Sequence, residues 1–387
     1  MRTLFYLAYF FLLFIAWVVM IPYLLYLSQK AKYKKAIPAR FFLYKNPPFL
    51  PQKIWIHACS FGEVRALEFL SKELNTPLNI SVITQTGFNA ACEYAKEVRF
   101  LPFEIFLPFW VKKHDLLIVM EAELWLMLFL TSKIKKSKTV LLNGRISDNS
   151  YKKYLKWRWF YRLIFENVDM VFAQSKEDKK RLESLGAKNV KVSGNIKTAT
   201  TPMVKTKFSK PKNRVLTLAS THENEEEMLL KKILPEFKNE KIILAPRHPE
   251  RFKKVEELAK NLAKEHGLTF AKLSEVSLQK SDILLCDRLG ELNSIYAITD
   301  IAFLGGSFVE NVGGHNPLEP AFFENVIISG AYFFNQKTLY ESVENIYIAD
   351  INEVSSLLKS ELKRSKISKI EAKELIIKEL KSLMEKI

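Results

Sequence analysis

The feature that most constrains this chain is an alternation of short apolar runs with helix-length segments, met twice along 387 residues and broken once by a polar stretch. In the first half the runs are KIWIHA, ISVITQ, LLIVM, TVLLNG and VDMVFAQ. Helical segments are predicted between them at about Val64–Leu74, across Ala90–Lys96, near Leu124 and around Tyr151–Phe165. The second half repeats the pattern with VLTLAS, KIILAP, ILLCD, IAFLGG and VIISG. Strands that are apolar throughout are buried on both faces, and strands that alternate with helices pair in parallel, so the fold class is α/β and doubly wound. The polar, aperiodic stretch Lys197–Asn213 separates two Rossmann-like domains, taken as 31–204 and 205–360 and expected to face a cleft. Residues 361–387 are charged and helix-periodic, and are expected to cross back to the first domain.

Ahead of this lies a run without a charged residue, Thr3 to Gln29. As a helix it is about 40 Å long, ample for a hydrocarbon core of about 30 Å. The run is too long for a signal peptide and no small-x-small cleavage site follows, so residues 1–30 are predicted to anchor the chain in a membrane. Only Arg2 precedes the span, whereas Lys30, Lys32, Lys34, Lys35 and Arg40 follow it, which puts the downstream domains on the cytoplasmic side. The formal charge of +17 implies a polyanionic partner: nucleic acid, an anionic membrane or a phosphorylated substrate. No RNP, KH or helix-turn-helix signature is present, so nucleic acid is not expected. Cys59, Cys92 and Cys286 lack ligand spacing, which points to a reducing compartment without structural zinc.

In open α/β sheets ligands lie outside the carboxyl ends of the strands. The polar clusters fall there: His57 to Glu63, Glu121 to Trp125, Asn143 to Ser147, Ser220 to Glu223, Pro246 to Arg251 and Asp287 to Leu292. The richest is Ile301–Pro320, a strand that breaks into a glycine-rich loop. There Asn316, Pro317, Leu318 and Glu319 supply an N-cap, a proline at the first helical position and a capping-box glutamate. Such a loop is expected to offer bare amides and a positive helix end to a phosphate.

In this order SFGE, EAELW, NGRIS, SGNIK, STHENEE, PRHPERF, LGEL and GGSFVE with GGHNPLEP resemble the Kdo transferases, which move 3-deoxy-D-manno-octulosonic acid (Kdo) from CMP-Kdo onto the lipid A precursor. The resemblance covers nearly the whole chain. It implies a GT-B glycosyltransferase of lipopolysaccharide biosynthesis at the bacterial inner membrane, whose N-terminal domain takes the acceptor and whose C-terminal domain holds the nucleotide sugar. It makes Glu63 the general base of an inverting transfer and makes Glu121 and Lys197 the supports of the transition state. It places CMP on Pro246 and Arg247, on Leu289, Gly290 and Glu291, and on Asn316, Pro317, Leu318 and Glu319. The chain departs from the family pattern at Leu126 and Met127, where proline and asparagine are usual, and at Cys286-Asp287-Arg288, where the family has glycine-aspartate-threonine.

These assignments make chemical sense. A base must take the acceptor proton as an oxocarbenium-like centre forms, and cations must receive the departing phosphate. Glu63 sits where a helix begins, and the positive helix end is expected to keep it ionised while lowering its basicity. His222-Glu223-Asn224-Glu225-Glu226 starts like a zincin motif but lacks the second histidine, and its helix is expected to be capped by Ser220 or Thr221. No Asp-x-Asp pair exists to hold a divalent ion, so no metal cofactor is expected. Phe100–Trp110 and the run from Lys156 to Arg162 have the aromatic and basic character of a membrane-docking surface, or of helix core with a solvated face. A different sugar on the same fold, carried by UDP, is the alternative enzyme reading.

Overall fold

Each half of the chain builds its own parallel sheet, and the computed structural model describes residues 2–199, 202–276, 278–368 and 372–385. The chain divides into two compact units, residues 1–200 with 370–387 and residues 201–369. In the first unit the strands are β1 (Ile54–His57), β2 (Leu78–Val82), β3 (Glu97–Phe100), β4 (Leu116–Met120), β5 (Lys138–Gly144), β6 (Met170–Ala173) and β7 (Val190–Val192). Their order is β3-β2-β1-β4-β5-β6-β7 and every pairing is parallel. Ile54, Ile56, Ile80 and Ile118 fill one face while Trp55, Leu117, Val119 and Leu141 fill the other, as the period of two requires of a sheet covered on both sides.

The second unit has β8 (Val215–Thr221), β9 (Lys241–Pro246), β10 (Phe270–Lys272), β11 (Ile283–Leu285), β12 (Ile301–Leu304), β13 (Val326–Ser329), a short β14 (Val343–Glu344), β15 (Ile346–Ile348) and β16 (Lys366–Ile367). The main sheet runs β10-β11-β9-β8-β12-β13-β15, all parallel, and β14 pairs with β16 as an antiparallel ribbon. Both units are therefore doubly wound α/β sheets. The strand order reverses between β1 and β4 in one and between β8 and β12 in the other, and those switch points are where such sheets bind ligands.

The unit boundaries differ from the sequence-based ones for physical reasons. At the first boundary the difference is small, 201 against 205, and the amides of Lys205 and Thr206, which both donate to the Ser294 hydroxyl at 3.1 and 3.0 Å, hold the residues from 205 in the second unit as expected. Residues up to 368 also stay there, because β16 pairs with β14 and the Ser365 amide donates to the Asn325 carbonyl. The helix Ala372–Glu385 belongs to the first unit. Its Ile376 and Leu380 are fully buried in that core, and Lys373 pairs with Glu73 at 2.6 Å.

Several helices also differ. Instead of one helix over Val64–Leu74 there are two, Phe61–Ala66 and Glu68–Leu74, with Leu67 between them. The start is earlier because Ser60 caps it, accepting from the Glu63 amide. The segment predicted at Ala90–Lys96 is helical over Gln85–Ala91, capped by Thr84. Tyr151–Phe165 divides at Trp157 into Asp148–Lys156 and Arg158–Phe165.

The helix Arg2–Ser28 is long and apolar enough to cross a membrane by length and composition. Leu4, Leu7, Phe11, Leu12 and Val19 are exposed, but its other face packs on the first unit. The Phe5 ring meets Trp159 edge-on at 5.3 Å, Phe10 approaches Phe109 at 6.4 Å, and the Trp17 indole donates to the Phe41 carbonyl at 2.8 Å. The Tyr9 hydroxyl donates to Glu104 at 2.9 Å, and the other Glu104 oxygen accepts from the Met127 amide at 2.7 Å. The segment is thus structurally part of the first unit as well as an apolar span. Tyr9→Phe should cost about 1 kcal/mol, the net value of a hydrogen bond, seen as a Tm lower by a few degrees in detergent. An unchanged Tm would mean that the tie contributes nothing.

Candidate active site

In the first unit the site residues stand at the carboxyl ends of β1, β4, β5 and β7. After β1 the chain turns at Ala58-Cys59-Ser60 into the helix Phe61–Ala66. Glu63 is buried at the start of that helix, 8% exposed, and both its oxygens are engaged: Oε1 accepts from the Ser60 hydroxyl at 2.7 Å and Oε2 from the Cys59 amide at 2.9 Å. The Ser60 hydroxyl accepts the Glu63 amide and so caps the helix, while the Glu63 side chain reaches back past the cap to the Cys59 amide, which leaves S-x-x-E short of a capping box. Burial raises the Glu63 pKa, the two hydrogen bonds to its oxygens oppose the rise, and the charges of Glu121 and Glu123 add to it. The expectation that the helix end would lower its basicity is corrected. The helix has six residues and too little dipole to outweigh desolvation.

Glu121 directly follows β4 in the left-handed region, φ +54°, a conformation that costs a residue with a side chain about 1 kcal/mol or more. Lys197 reaches it from the turn after β7, Nζ to Oε1 2.7 Å, and each side chain keeps about a third of its surface exposed. Asn143 explains how the two meet. It is fully buried at an irregularity in the β5–β6 pairing, with φ +61°. Its Oδ1 accepts the Ile196 amide at 3.0 Å and its Nδ2 donates to Glu121 at 3.4 Å. Asn195 accepts the Lys197 amide at 3.0 Å and donates to Gln174 at 3.3 Å. Asn143 and Asn195 are positioning residues that were given no role in the sequence reading, although both lie in motifs quoted there. An asparagine two residues from a candidate lysine was the available signal. His57, at the end of β1, is fully buried and its pKa is pushed down to about 3, chiefly by that burial.

The second unit places its motif residues at the ends of β8, β9, β11 and β12. Gly305 is required by close approach: a Cβ there would stand 2.6 Å from both Ser220 O and Thr221 Cα. Ser220 sits at φ +55° where the β8–β9 register shifts, which turns the chain toward His222. The helix that follows starts at Glu225 and is capped by neither Ser220 nor Thr221. Asn224 is at the cap position with no side-chain cap, and the Thr221 hydroxyl donates to Glu226 at 2.6 Å.

Two expectations for the glycine-rich loop are also corrected. Its amides are not bare: Glu225, with no exposed surface, accepts from Gly306 at 2.7 Å, from Phe308 at 3.0 Å and from His222 at 2.8 Å. A carboxylate of the chain thus takes the Gly306 and Phe308 amides that were expected to be free for a phosphate. The helix starts at Leu318 rather than Pro317 and is five residues long. Asn316 Oδ1 accepts the Leu318 amide at 3.0 Å, and Glu319 interacts with the Asn316 side chain rather than closing a capping box. Burial raises the Glu319 pKa against the pull of Asn316 and Arg247.

Pro246 ends β9 and Arg247 follows, its amide bonded to Thr221 O. The two arginines of PRHPERF divide the work. Arg251 is committed to the fold, forked onto Glu226 at 2.7 and 2.8 Å and bonded to Thr221 O. The Arg247 side chain is exposed, and no carboxylate lies within ion-pair distance of it among the described residues. His222 and His315 lie nearby with Nε2 atoms 2.9 Å apart, and burial lowers both, His315 to about 4. Leu289 is exposed, and Gly290, φ +82°, leaves room for the Lys205 ammonium. Glu291 Oε1 accepts from Thr206 at 3.0 Å while its buried Oε2 has no partner, an acceptor suited to a ligand hydroxyl. A cavity of about 510 Å³ lined by Lys210, Arg214, Asp300 and Arg364 lies at the amino ends of β8 and β12, away from all these residues.

Residues 35–200 match the family model for 3-deoxy-D-manno-octulosonic-acid transferase (kdotransferase). The chain is 32% identical over 364 residues to a 3-deoxy-D-manno-octulosonic acid transferase of Haemophilus influenzae, covering 86% of this chain and 84% of that one. It is 36% identical over 310 residues to a bifunctional glycosyltransferase/methyltransferase of Fusobacterium nucleatum, covering 73% of this chain and 48% of the relative, so it spans about half that protein's length. The crystal structure of a UDP-N-acetylglucosamine 2-epimerase superimposes with a TM-score of 0.54 at 14% identity, over 80% of this chain and 87% of that one, a likeness of fold alone.

Glu225→Ala should destabilise the second unit by about 3 kcal/mol or more, because it leaves buried amides unanswered. Glu225→Gln should cost less. Denaturant unfolding measures both, and an alanine variant within 0.5 kcal/mol of wild type would show that the carboxylate does not hold the loop.

Proposed function

Because the chain belongs to the 3-deoxy-D-manno-octulosonic acid (Kdo) transferase family, we propose that it is a membrane-anchored glycosyltransferase that moves Kdo from CMP-Kdo to a lipid A precursor with inversion. One observation carries this reading furthest. Glu63, the residue that matches the family's base, is a buried carboxylate at a switch point whose pKa is raised, close enough to Glu121 to feel its charge. Each of its oxygens accepts one hydrogen bond and keeps a lone pair for an incoming proton.

The acceptor hydroxyl gives its proton to Glu63 as its oxygen bonds to the anomeric carbon of Kdo. The bond from that carbon to the CMP phosphate oxygen breaks, and its electron pair leaves with the phosphate. Glu121 offsets positive charge developing on the sugar ring, and Lys197, held by Glu121, neutralises a nearby anion. In the second unit Arg247 receives the phosphate and Glu291 Oε2 accepts a ribose hydroxyl. Pro246, Leu289, Gly290 and Asn316 to Glu319 complete the nucleotide site. A single leaving phosphate carries less charge than a diphosphate, and Arg247 with Lys205 offsets it, so transfer proceeds without a divalent metal.

The apolar helix holds the protein at the inner membrane with both units on the cytoplasmic side, where Lys30 to Arg40 follow the span. Phe109, Trp157 and Trp159 are exposed beside that helix, with Lys152, Lys153, Lys156 and Arg158 close in sequence. Such a surface suits a phosphorylated lipid and an anionic bilayer.

Glu63→Gln should lower kcat by about 10²–10⁴, the usual worth of a general base, and leave CMP binding unchanged. A base with a raised pKa is lost to protonation as pH falls through that value. The acid limb of kcat/KM should therefore lie above the 4.5 of an ordinary glutamate and vanish in the variant. A profile flat down to that pH would remove Glu63 from the mechanism.

Initial rates with CMP-Kdo and lipid A precursor should survive exhaustive EDTA treatment, while Arg247→Ala should weaken CMP binding at least tenfold. UDP should not compete with CMP. Activity lost to EDTA and restored by magnesium, or an Arg247→Ala protein with unchanged affinity, would reject the metal-free arrangement.

A further inference from the structure

Beside Glu63 the first unit gathers three donors of different kinds that the transfer reaction does not use. A nitrogen of His57, the Cys59 sulfur and a Glu123 oxygen all lie within 4.8 Å of one another. His57 is turned and charged in the way a metal-binding imidazole needs. Its Nδ1 lies 3.0 Å from the Ser81 carbonyl, which can only accept, so Nδ1 carries the proton and Nε2 keeps its lone pair. That lone pair points toward Cys59, Nε2 to Sγ 3.9 Å. Glu123 is held by the Trp125 indole, which donates to Oε2 at 2.7 Å, and its carboxylate also takes a hydrogen bond from the Cys59 thiol.

We propose that His57, Cys59 and Glu123 form a binding site for a borderline-soft divalent cation of the zinc class. In a tetrahedral zinc site a sulfur at about 2.3 Å and a nitrogen at about 2.0–2.1 Å stand about 3.6 Å apart, so the observed separation closes with a shift of a few tenths of an ångström. One imidazole, one thiolate and one carboxylate select zinc over magnesium or calcium, which take all-oxygen sets. Three protein ligands leave a fourth position open. On binding, the Cys59 thiol proton passes to solvent and the thiolate takes its place on the metal, so one proton is released per ion.

The charges around the site decide whether an ion is tolerated. Arg40 is close enough to act on both Cys59 and Glu123 and opposes a cation. Glu63 opposes Arg40 at Cys59, where the two charges act in opposite senses. An ion with thiolate and carboxylate ligands is neutral as a unit, which Arg40 repels only weakly. Without a metal, the Cys59 thiol shares its proton with Glu123. The ion would sit next to the residue whose amide bonds Glu63 Oε2 at 2.9 Å. Once neutralised on the ion, Glu123 no longer raises the basicity of Glu63 by its charge, so zinc should slow transfer and EDTA should reverse the slowing. This is compatible with a reaction that itself needs no metal.

The test is a cobalt(II) titration of the full-length protein in detergent, without donor or acceptor. A near-ultraviolet thiolate-to-cobalt charge-transfer band should appear with one equivalent and be displaced by zinc. Cys59→Ser should abolish the band and weaken zinc binding at least a hundredfold, and Glu123→Gln should weaken it at least tenfold. Cys92→Ser and Cys286→Ser should behave as wild type. A cobalt site on the imidazoles of His222 and His315 would give no thiolate band, so that outcome, a band surviving in Cys59→Ser, or no band at all would overturn the assignment. The inhibition arm rests on Glu63 as the base and the spectral arm does not, which keeps the two readings separable. Where Glu63→Gln has shown Glu63 to be the base, wild-type transfer that is unaltered at zinc saturation would overturn the placement of the ion beside it.

Discussion

A parallel strand that turns sharply at its carboxyl end strips its last amides of ladder partners, and a buried amide left unanswered costs about 1–3 kcal/mol. In this protein carboxylates answer them. Glu63 takes the Cys59 amide, Glu225 those of His222, Gly306 and Phe308, Asp178 that of Ile146 and Glu104 that of Met127. Each bond fixes a loop that carries motif residues. The same bond makes Glu63 both a tie for the turn before its helix and a candidate base, because a carboxylate held through one lone pair on each oxygen is oriented without being used up.

Local strain is concentrated at these edges. Glu121, Asn143 and Ser220 all adopt left-handed backbone, and the last two lie where the strand register shifts. At about 1–3 kcal/mol each, such conformations persist only where the surroundings over-determine them. Asn143 is held from three directions, by Ile196, Glu121 and Gln174. The result is a lysine and a glutamate brought to ion-pair distance from strands that are not neighbours in the sheet.

Charge is partitioned just as locally. Arg251 is half-buried, forked onto the buried Glu226, whereas Arg247, four residues earlier, stays exposed for an anion. The Gly306 and Phe308 amides of the glycine-rich loop are answered internally by Glu225, which leaves more of the anion-binding role to side-chain cations. Arginine suits that role, since its fork matches the oxygens of a phosphate.

The sequence by itself determined the five apolar strands of each half and the doubly wound architecture, because periods of two and of three to four residues are local, whereas the short edge strands β3, β7, β10 and β15 carry no such run and only the structure shows them. It also named Glu63, Glu121, Lys197 and Arg247 through motifs whose residue types carry chemistry. It did not show that Glu225 fills the glycine-rich loop, that Asn143 joins Glu121 to the turn bearing Lys197, that the first span packs on Glu104, or that His57, Cys59 and Glu123 converge. Those are contacts between residues as far apart as the 95 positions from Tyr9 to Glu104. The right-handed crossovers of a parallel sheet bring such residues together, and no local period encodes which buried amide a carboxylate will answer. The helix starts at Phe61 and Leu318 were misplaced for a related reason. A cap is decided by which side chain reaches the first free amide once the strand before it is fixed.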